Sequence, residues 1–259
     1  MTMSKSTQAT VLKRIVVKLG GSMLEGLNDQ FFMNFKRLQE EGNQLIIVHG
    51  GGPAINKELA RNNVTSTTIN GIRVTSKEAV GIVQSTLIGK VNPALVHELN
   101  KDGIVAVGLS GYDGQLLECT LLNEEIYGFV GEIQQVNTSL LDTFLQAGVT
   151  PVIACIGCTA DGHALNINGD TVASEIALAM KADSLLLVTD TPGIKINDVV
   201  QEMVTQAEID NWIETGDIFG GMIPKVQAAV ECLQSGIPSV QIVGEKLVGT
   251  VIISQEVNA

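Results

Sequence analysis

The chain has 259 residues, 45% of them hydrophobic and 17% charged, the composition of a folded protein with a sizeable core rather than a disordered one. A formal net charge of −12 argues against binding to nucleic acid or to an anionic membrane, yet leaves room for a small anionic substrate wherever cations are gathered locally. The opening MTMSKSTQATVLKR is polar and no apolar stretch approaches the roughly 20 residues of a membrane span, so neither a signal sequence nor a spanning helix is expected.

In chain order, short apolar runs alternate with helical patterns. RIVVKL (14–19) predicts a strand and DQFFMNFKRLQEEG a helix; QLIIVH (44–49) predicts a strand and PAINKELARN a helix. The long SKEAVGIVQSTLIGKVNPALVHELNKDG reads as helix, followed by a strand at IVAVGL (104–109). GQLLECTLLNEEIYGFVGEI (114–133) has the pattern of a strand pair laid on the main sheet. TSLLDTFLQAG, DTVASEIALAMKA and AEIDNWIETG are helical, and PVIACI (151–156), SLLLVT (184–189) and SVQIVG (239–244) are strands. The strand runs are continuous rather than alternating, as expected of strands covered on both faces. Together they predict an α/β fold, a three-layer αβα sandwich with an open, mainly parallel central sheet. In GGMIPKVQAAV (220–230) the proline is expected at the first helical position, and Gly236 and Pro238 as the stop. That puts Lys225 in the first turn, where the helix dipole disfavours a cation by roughly 0.3–1 kcal/mol.

Glycines follow the strands: KLGGS, HGGGP, GLSGYDG, IGCTADG and TDTPGI. Ligands of open α/β sheets bind outside the carboxyl ends of the strands, so these loops predict either ordinary tight turns or one wide site where backbone comes close to ligand. HGGGP opens a helix, and N–H groups at a helix start bind phosphate or carboxylate. Neither G-x-x-x-x-G-K-[ST] nor G-x-G-x-x-G is present, since Ile55 occupies the last position of the latter.

Other polar positions stand out. In LNINGD, Asn166, Asn168 and Asp170 recur at period two and would share one face of an extended segment; alternatively Asp170 caps the following helix. Arg73 in NGIRVT offers a fork matched to carboxylate, or is a surface arginine. Lys18 interrupts a buried strand, where a lysine is rare without a partner. Of the four cysteines, Cys119, Cys155, Cys158 and Cys232, two form CIGC at the end of a strand-like run. With no second Cys/His pair at zinc spacing, reduced, buried cytosolic thiols are expected.

KLGGS, HGGGP, NGIRVT, GLSGYDG, LNINGD, TDTPGI and GGMIPKV, in that order from about Val16 to Ile253, resemble the amino acid kinase family, most closely its branch acting on N-acetyl-L-glutamate. The resemblance implies phosphorylation of that substrate's side-chain carboxylate by ATP with Mg²⁺, in arginine biosynthesis. It implies one domain, with an amino-acid lobe over about 15–165 and a nucleotide lobe over about 166–255. It implies that Lys18 and Lys225 stabilise the transferring phosphoryl group and that Asp170 orients both lysines. Gly51 and Gly52 would donate N–H groups to substrate and phosphate, Arg73 would hold the α-carboxylate, and Asn166 the acetamido end. Nucleotide contacts would come from Gly20 and Gly21, from Asp190, Thr191, Gly193 and Lys195, and from Phe219, Gly221 and Met222. The metal would be held by phosphates and water, with no protein ligand. Gly169 stands where the family motif is expected to have alanine, which implies a looser backbone before Asp170.

Alternative readings are a sibling kinase, above all one acting on acetylaminoadipate, one methylene longer, and a non-catalytic sensor, which should have lost Lys18, Asp170 or Lys225. The short, weakly amphipathic STQATVLKR implies a cytoplasmic homodimer without the extra N-terminal helix and strong arginine inhibition of hexameric relatives.

Overall fold

A computed structural model describes residues 13–253 apart from Ser22 and Glu25; the expectations placed on the N-terminal tail lie outside the described residues. From the first strand β1 (Arg14–Leu19) the chain passes through α1 (Asp29–Glu40), β2 (Gln44–His49) and α2 (Gly52–Arg61) to a small hairpin, β3 (Thr68–Ile69) and β4 (Ile72–Arg73). Then come α3 (Lys77–Thr86), a π-helical turn (Leu87–Val91), α4 (Asn92–Lys101) and β5 (Ala106–Leu109). The middle holds β6 (Leu117–Leu121), α5 (Glu124–Tyr127), β7 (Gly131–Val136), α6 (Thr138–Gln146), β8 (Thr150–Ala154), β9 (Ile156–Cys158) and β10 (Ala164–Asn166). The remainder is α7 (Gly169–Ala179), β11 (Ser184–Val188), β12 (Lys195–Ile196), β13 (Val199–Val200), β14 (Met203–Thr205), α8 (Gln206–Thr215), α9 (Met222–Gln234), β15 (Val240–Val243) and β16 (Gly249–Ile253).

The main sheet has eight strands in the order β14-β16-β15-β11-β1-β2-β8-β5, and every pair is parallel except β15 with β16. Alternate residues explain the unbroken apolar runs. Val16, Ile46, Val48, Leu185 and Leu187 pack under α7 and α9, while Ile15, Val17, Leu45, Ile47 and Leu186 pack under α1 and α4. With both faces covered, a three-layer αβα sandwich results.

Three local expectations change. The strand pair of the middle segment does not lie on the main sheet: β6 and β7 join β9 and β10 in a separate four-stranded sheet, order β10-β9-β6-β7. A register shift between Glu118 and Cys119 interrupts the β6–β7 ladder. Secondly, α9 begins at Met222, so Pro224 is its third residue and Lys225 its fourth; proline is tolerated there because the first four helical N–H groups have no intrahelical acceptor. Gly236, with φ of 105°, follows the helix as its stop.

Thirdly, Lys77–Lys101 forms one continuous 25-residue helix that contains an 18-residue stretch apolar enough to cross a membrane. The expectation that no stretch reaches that length is thereby corrected. The helix is nevertheless a core element: Ala79, Val83, Leu87, Leu95 and Leu99 are buried against the rest of the chain, and Lys90 ion-pairs with Glu58 of α2.

Candidate active site

The order of the strands locates a crevice. β1 is followed in sequence by its neighbour β2 on one side, while its other neighbour, β11, arrives from far along the chain. Such a switch point opens a crevice beyond the carboxyl ends of the two strands. Gly20 follows β1 and Asp190 follows β11, and both line a cavity of about 270 Å³ there, with Lys18, Asp170, Thr189, Pro224 and Lys225.

Lys18 lies on the α7 side of β1, as its even register with Val16 dictates. Its Nζ is 2.8 Å from Oδ1 of Asp170, and the lysine side chain is only 18% exposed. The alternative role for Asp170, as a helix cap, falls to Asn168 instead. The Asn168 Oδ1 accepts from the N–H groups of Asp170 (2.7 Å) and Thr171 (3.4 Å). Asp170 is therefore free of capping duty and sits in the first turn of α7, where a carboxylate is favoured. Asn166, Asn168 and Asp170 do not share one extended face, because the helix begins at Gly169.

The second lysine is held differently from expectation. Lys225 Nζ lies 2.5 Å from Oδ1 of Asp190, so the partner of Lys225 is Asp190, and Asp170 is paired with Lys18. The hydrogen bond from Lys225, aided by its charge, holds the Asp190 carboxyl below the usual carboxylate range. Two lysines, two aspartates and the N-termini of α7 and α9 thus meet at one cavity, an arrangement made for a polyanion that brings its own negative charge.

The two glycine loops touch each other. A Cβ on Gly21 would lie 2.6 Å from the Gly52 nitrogen and 2.9 Å from Cδ of Pro53, so only glycine allows the KLGGS and HGGGP loops to pack together. Gly51 caps α2 and Gly52 is its first residue, which points the unpaired N–H groups of that helix start toward the same edge of the sheet. Gly21 and Gly51 also line an adjoining apolar cavity of about 440 Å³.

Arg73, half-buried on β4, donates from Nη2 to Asn56 Oδ1 (2.6 Å) and from Nη1 to Ser66 Oγ (3.1 Å). Asn166 Nδ2 donates to Thr75 Oγ1 (3.1 Å), whose hydroxyl donates to the Arg73 carbonyl (2.9 Å). Arg73 and Asn166 are thereby linked through Thr75, away from the lysine cavity. A third cavity of about 720 Å³ runs from Asp170 to Asn70, Gly71 and Ile72 of the same hairpin, joining the two regions.

Other expected nucleotide contacts are spread out. Asp190 and Thr191 line a further cavity of about 410 Å³ with Gly244, Glu245 and Lys246. Gly193 has a packing reason of its own: with φ of 151°, a Cβ there would lie 2.7 Å from Thr250 Oγ1. Lys195 is exposed on the β12–β13 hairpin, Phe219 is 74% exposed, and Gly221 caps α9 while Met222 packs on the core. None of these five lines the lysine cavity.

The cysteines of CIGC are buried in β9 and before it, and burial pushes the Cys155 thiol up to about 12 and Cys158 up as well, so neither is a thiolate near neutrality. Gly169 has room for a side chain. A Cβ there would meet Lys18 Cε at 3.5 Å and Cys155 Sγ at 3.6 Å, which is ordinary contact, and the Asn168 cap already holds the turn. Gly169→Ala is expected to stabilise the protein by about 0.4–1 kcal/mol through the unfolded chain. A rise in Tm checks this; a fall would show hidden strain at Lys18.

An open α/β sheet whose switch-point crevice gathers two lysines, glycine loops and helix N-termini is the architecture of a phosphate-handling enzyme. The sequence model of the amino acid kinase family matches residues 13–244, and the chain belongs to that family. Within it, the chain is 41% identical to the acetylglutamate kinase of Halalkalibacterium halodurans over 254 residues, 95% of this chain and 98% of that one. It is 45% identical to the acetylglutamate kinase of Bacillus cereus over 229 residues, 88% and 89% of the two chains. Among solved structures, smu.665 of Streptococcus mutans UA159 superposes with a TM-score of 0.83 at 35% identity, covering 93% of this chain and 99% of that one. Carbamate kinase from Giardia lamblia bound to AMP-PNP shares the fold alone, with a TM-score of 0.62 at 16% identity over 95% of this chain and all of that one.

Proposed function

We propose that the chain transfers the γ-phosphoryl group of ATP to the side-chain carboxylate of N-acetyl-L-glutamate, giving N-acetyl-L-glutamyl phosphate and ADP in arginine biosynthesis. The observation that carries this reading is the 41–42% identity to acetylglutamate kinases over 94–95% of the chain. The cavity geometry supplies a mechanism. The acceptor is already a carboxylate, so no general base is needed; the difficulty is bringing one anion onto another. Lys18 and Lys225 offset the charge on the moving phosphoryl group, and the N–H groups of Gly51 and Gly52 complete an anion cradle. Asp170 fixes Lys18, and Asp190 takes the corresponding place beside Lys225.

Residues about 15–165 form the amino-acid lobe in this reading and about 166–255 the nucleotide lobe. Arg73 receives the α-carboxylate and Asn166 the acetamido end. Gly20, Gly21, Asp190, Thr191, Gly193, Lys195, Phe219, Gly221 and Met222 contact the nucleotide, which enters as MgATP. The metal ion is held by the phosphates and water in this reading, while Asp170 and Asp190 each serve a lysine partner. A cytoplasmic homodimer is the assembly we propose, its mass to be read by light scattering. The edge strand β5 beside exposed Val105 offers a surface for it.

ADP release that depends on N-acetyl-L-glutamate tests the reaction, and acceptor-independent release contradicts it. Arg73→Ala is expected to raise KM for the acceptor at least tenfold while KM for ATP changes little. An unchanged acceptor KM would remove Arg73 from the substrate site.

A further inference from the structure

His49 ends β2 directly before the Gly50–Gly52 loop and is completely buried, a costly place for an imidazole without partners. It has two. The ring Nδ1 is 2.8 Å from the Gly50 carbonyl, and Nε2 is 3.0 Å from Nδ2 of Asn92. The same Asn92 Nδ2 lies 2.9 Å from the Val152 carbonyl in β8. A carbonyl only accepts, so the amide nitrogen faces that way and His49 Nε2 accepts from it; the ring proton is left on Nδ1, donating to Gly50. Burial, which pushes the imidazole down to about 4, keeps the ring neutral, and the two hydrogen bonds hold it in this tautomer.

Asn92 reaches this position by a local irregularity. It is the first residue of α4, immediately after the π-helical turn Leu87–Val91. A π turn adds a residue to the helical register and rotates everything beyond it. The turn itself presses on the loop: a Cβ on Gly51 would lie 2.6 Å from Leu87 Cδ2 and 3.3 Å from Val91 Cγ2. On the far side, Asn92 Oδ1 occupies the space above Gly108 of β5, 1.9 Å from where a Cβ would sit. One amide therefore hydrogen-bonds the end of β2 and the middle of β8 and packs over β5 beside the glycine loop.

We propose that Asn92 is a positioning residue for phosphoryl transfer: through neutral His49 it fixes the Gly50 carbonyl, and with it the orientation of the Gly51 and Gly52 N–H groups. The proposal rests on the reading of the glycine loop as an anion cradle. A cradle aimed at the charge of the transition state acts on kcat more than on KM. The test compares the parent, Asn92→Ala, and Asn92→Ala with Gly108→Ala, in which a new methyl refills the space left by the amide. Expected is a fall in kcat of at least tenfold in both variants, with KM for ATP and for N-acetyl-L-glutamate within threefold of the parent, and a Tm that recovers in the double variant while kcat does not. A loss smaller than tenfold, or a kcat restored together with Tm by the refilling methyl, overturns the proposal and shows Asn92 to be a packing residue. Should the single variant fail to fold, the double variant carries the same test. A parent inactive on N-acetyl-L-glutamate overturns the proposed function and this inference with it, whereas an active parent with an active variant overturns the inference alone.

Discussion

Lys18→Met is expected to lower kcat by about 10³-fold, or roughly 4 kcal/mol of transition-state stabilisation. Lys18 is the more enclosed of the two lysines, its side chain 18% exposed against 31% for Lys225. A charge in such a place acts through little water and is fixed in advance by Asp170. Methionine keeps the length of the side chain and its packing on β1. The orphaned Asp170 carboxylate is 34% exposed and remains in the first turn of α7, where the helix N-terminus favours it, so the variant should fold. Steady-state kinetics on folded protein reads the effect. A kcat within tenfold of the parent would mean that Lys18 serves the sheet and not the reaction.

Lys225→Met is expected to lower kcat by at least about 10²-fold, roughly 2.7 kcal/mol, with little change in KM for the acceptor. Its effect on stability decides between a structural and a catalytic lysine. The ion pair with Asp190 joins a lysine 31% exposed to an aspartate 69% exposed, and such a pair contributes only about 0–1 kcal/mol. Removing a cation from the first turn of α9 returns roughly 0.3–1 kcal/mol by relieving the helix dipole. The two offset each other, so Tm should stay near that of the parent. The pH dependence has a defined sign. Because Lys225 lowers the folded-state pKa of Asp190, the pair's contribution to stability is present above the ordinary carboxylate range and is lost as pH falls through the folded value. Lys225→Met should therefore match the parent at pH 7 and become slightly the more stable of the two in acid, where the relief of the helix dipole, roughly 0.3–1 kcal/mol, is no longer offset. A variant that keeps kcat, or unfolds well below the parent at pH 7, would make Lys225 a structural residue.

Six of the eight strands of the main sheet were legible because they are covered on both faces: RIVVKL and QLIIVH emerge as β1 and β2 with no change of boundary, whereas β14 and β16 at the far edge carried no expectation. The four-stranded sheet was not, since β6 buries Leu117 and Cys119 but exposes Glu118, Thr120 and Leu121, and its partner β9 comes from some 35 residues further on. Lys18 announced itself as a charge in an apolar strand, and Gly21 and Gly51 as glycines in series, each now explained by a backbone or side chain that leaves no room for a Cβ. The pairing of Lys225 with Asp190 spans 35 residues and obeys no local spacing, so nothing in the sequence favoured it over a pairing with Asp170. Asn92 was invisible for a sharper reason. It lies in a helical pattern whose period hides the π turn, and only that turn brings its amide under His49.

The central claim is that a side-chain carboxylate, and not water or a hydroxyl, takes the phosphoryl group. Its product is an acyl phosphate, and hydroxylamine converts acyl phosphates to hydroxamates while leaving phosphate esters intact. Incubation with MgATP, N-acetyl-L-glutamate and hydroxylamine should yield N-acetylglutamyl hydroxamate in step with ADP, one for one, and Lys18→Met should suppress both together. ADP formed without hydroxamate would contradict the account.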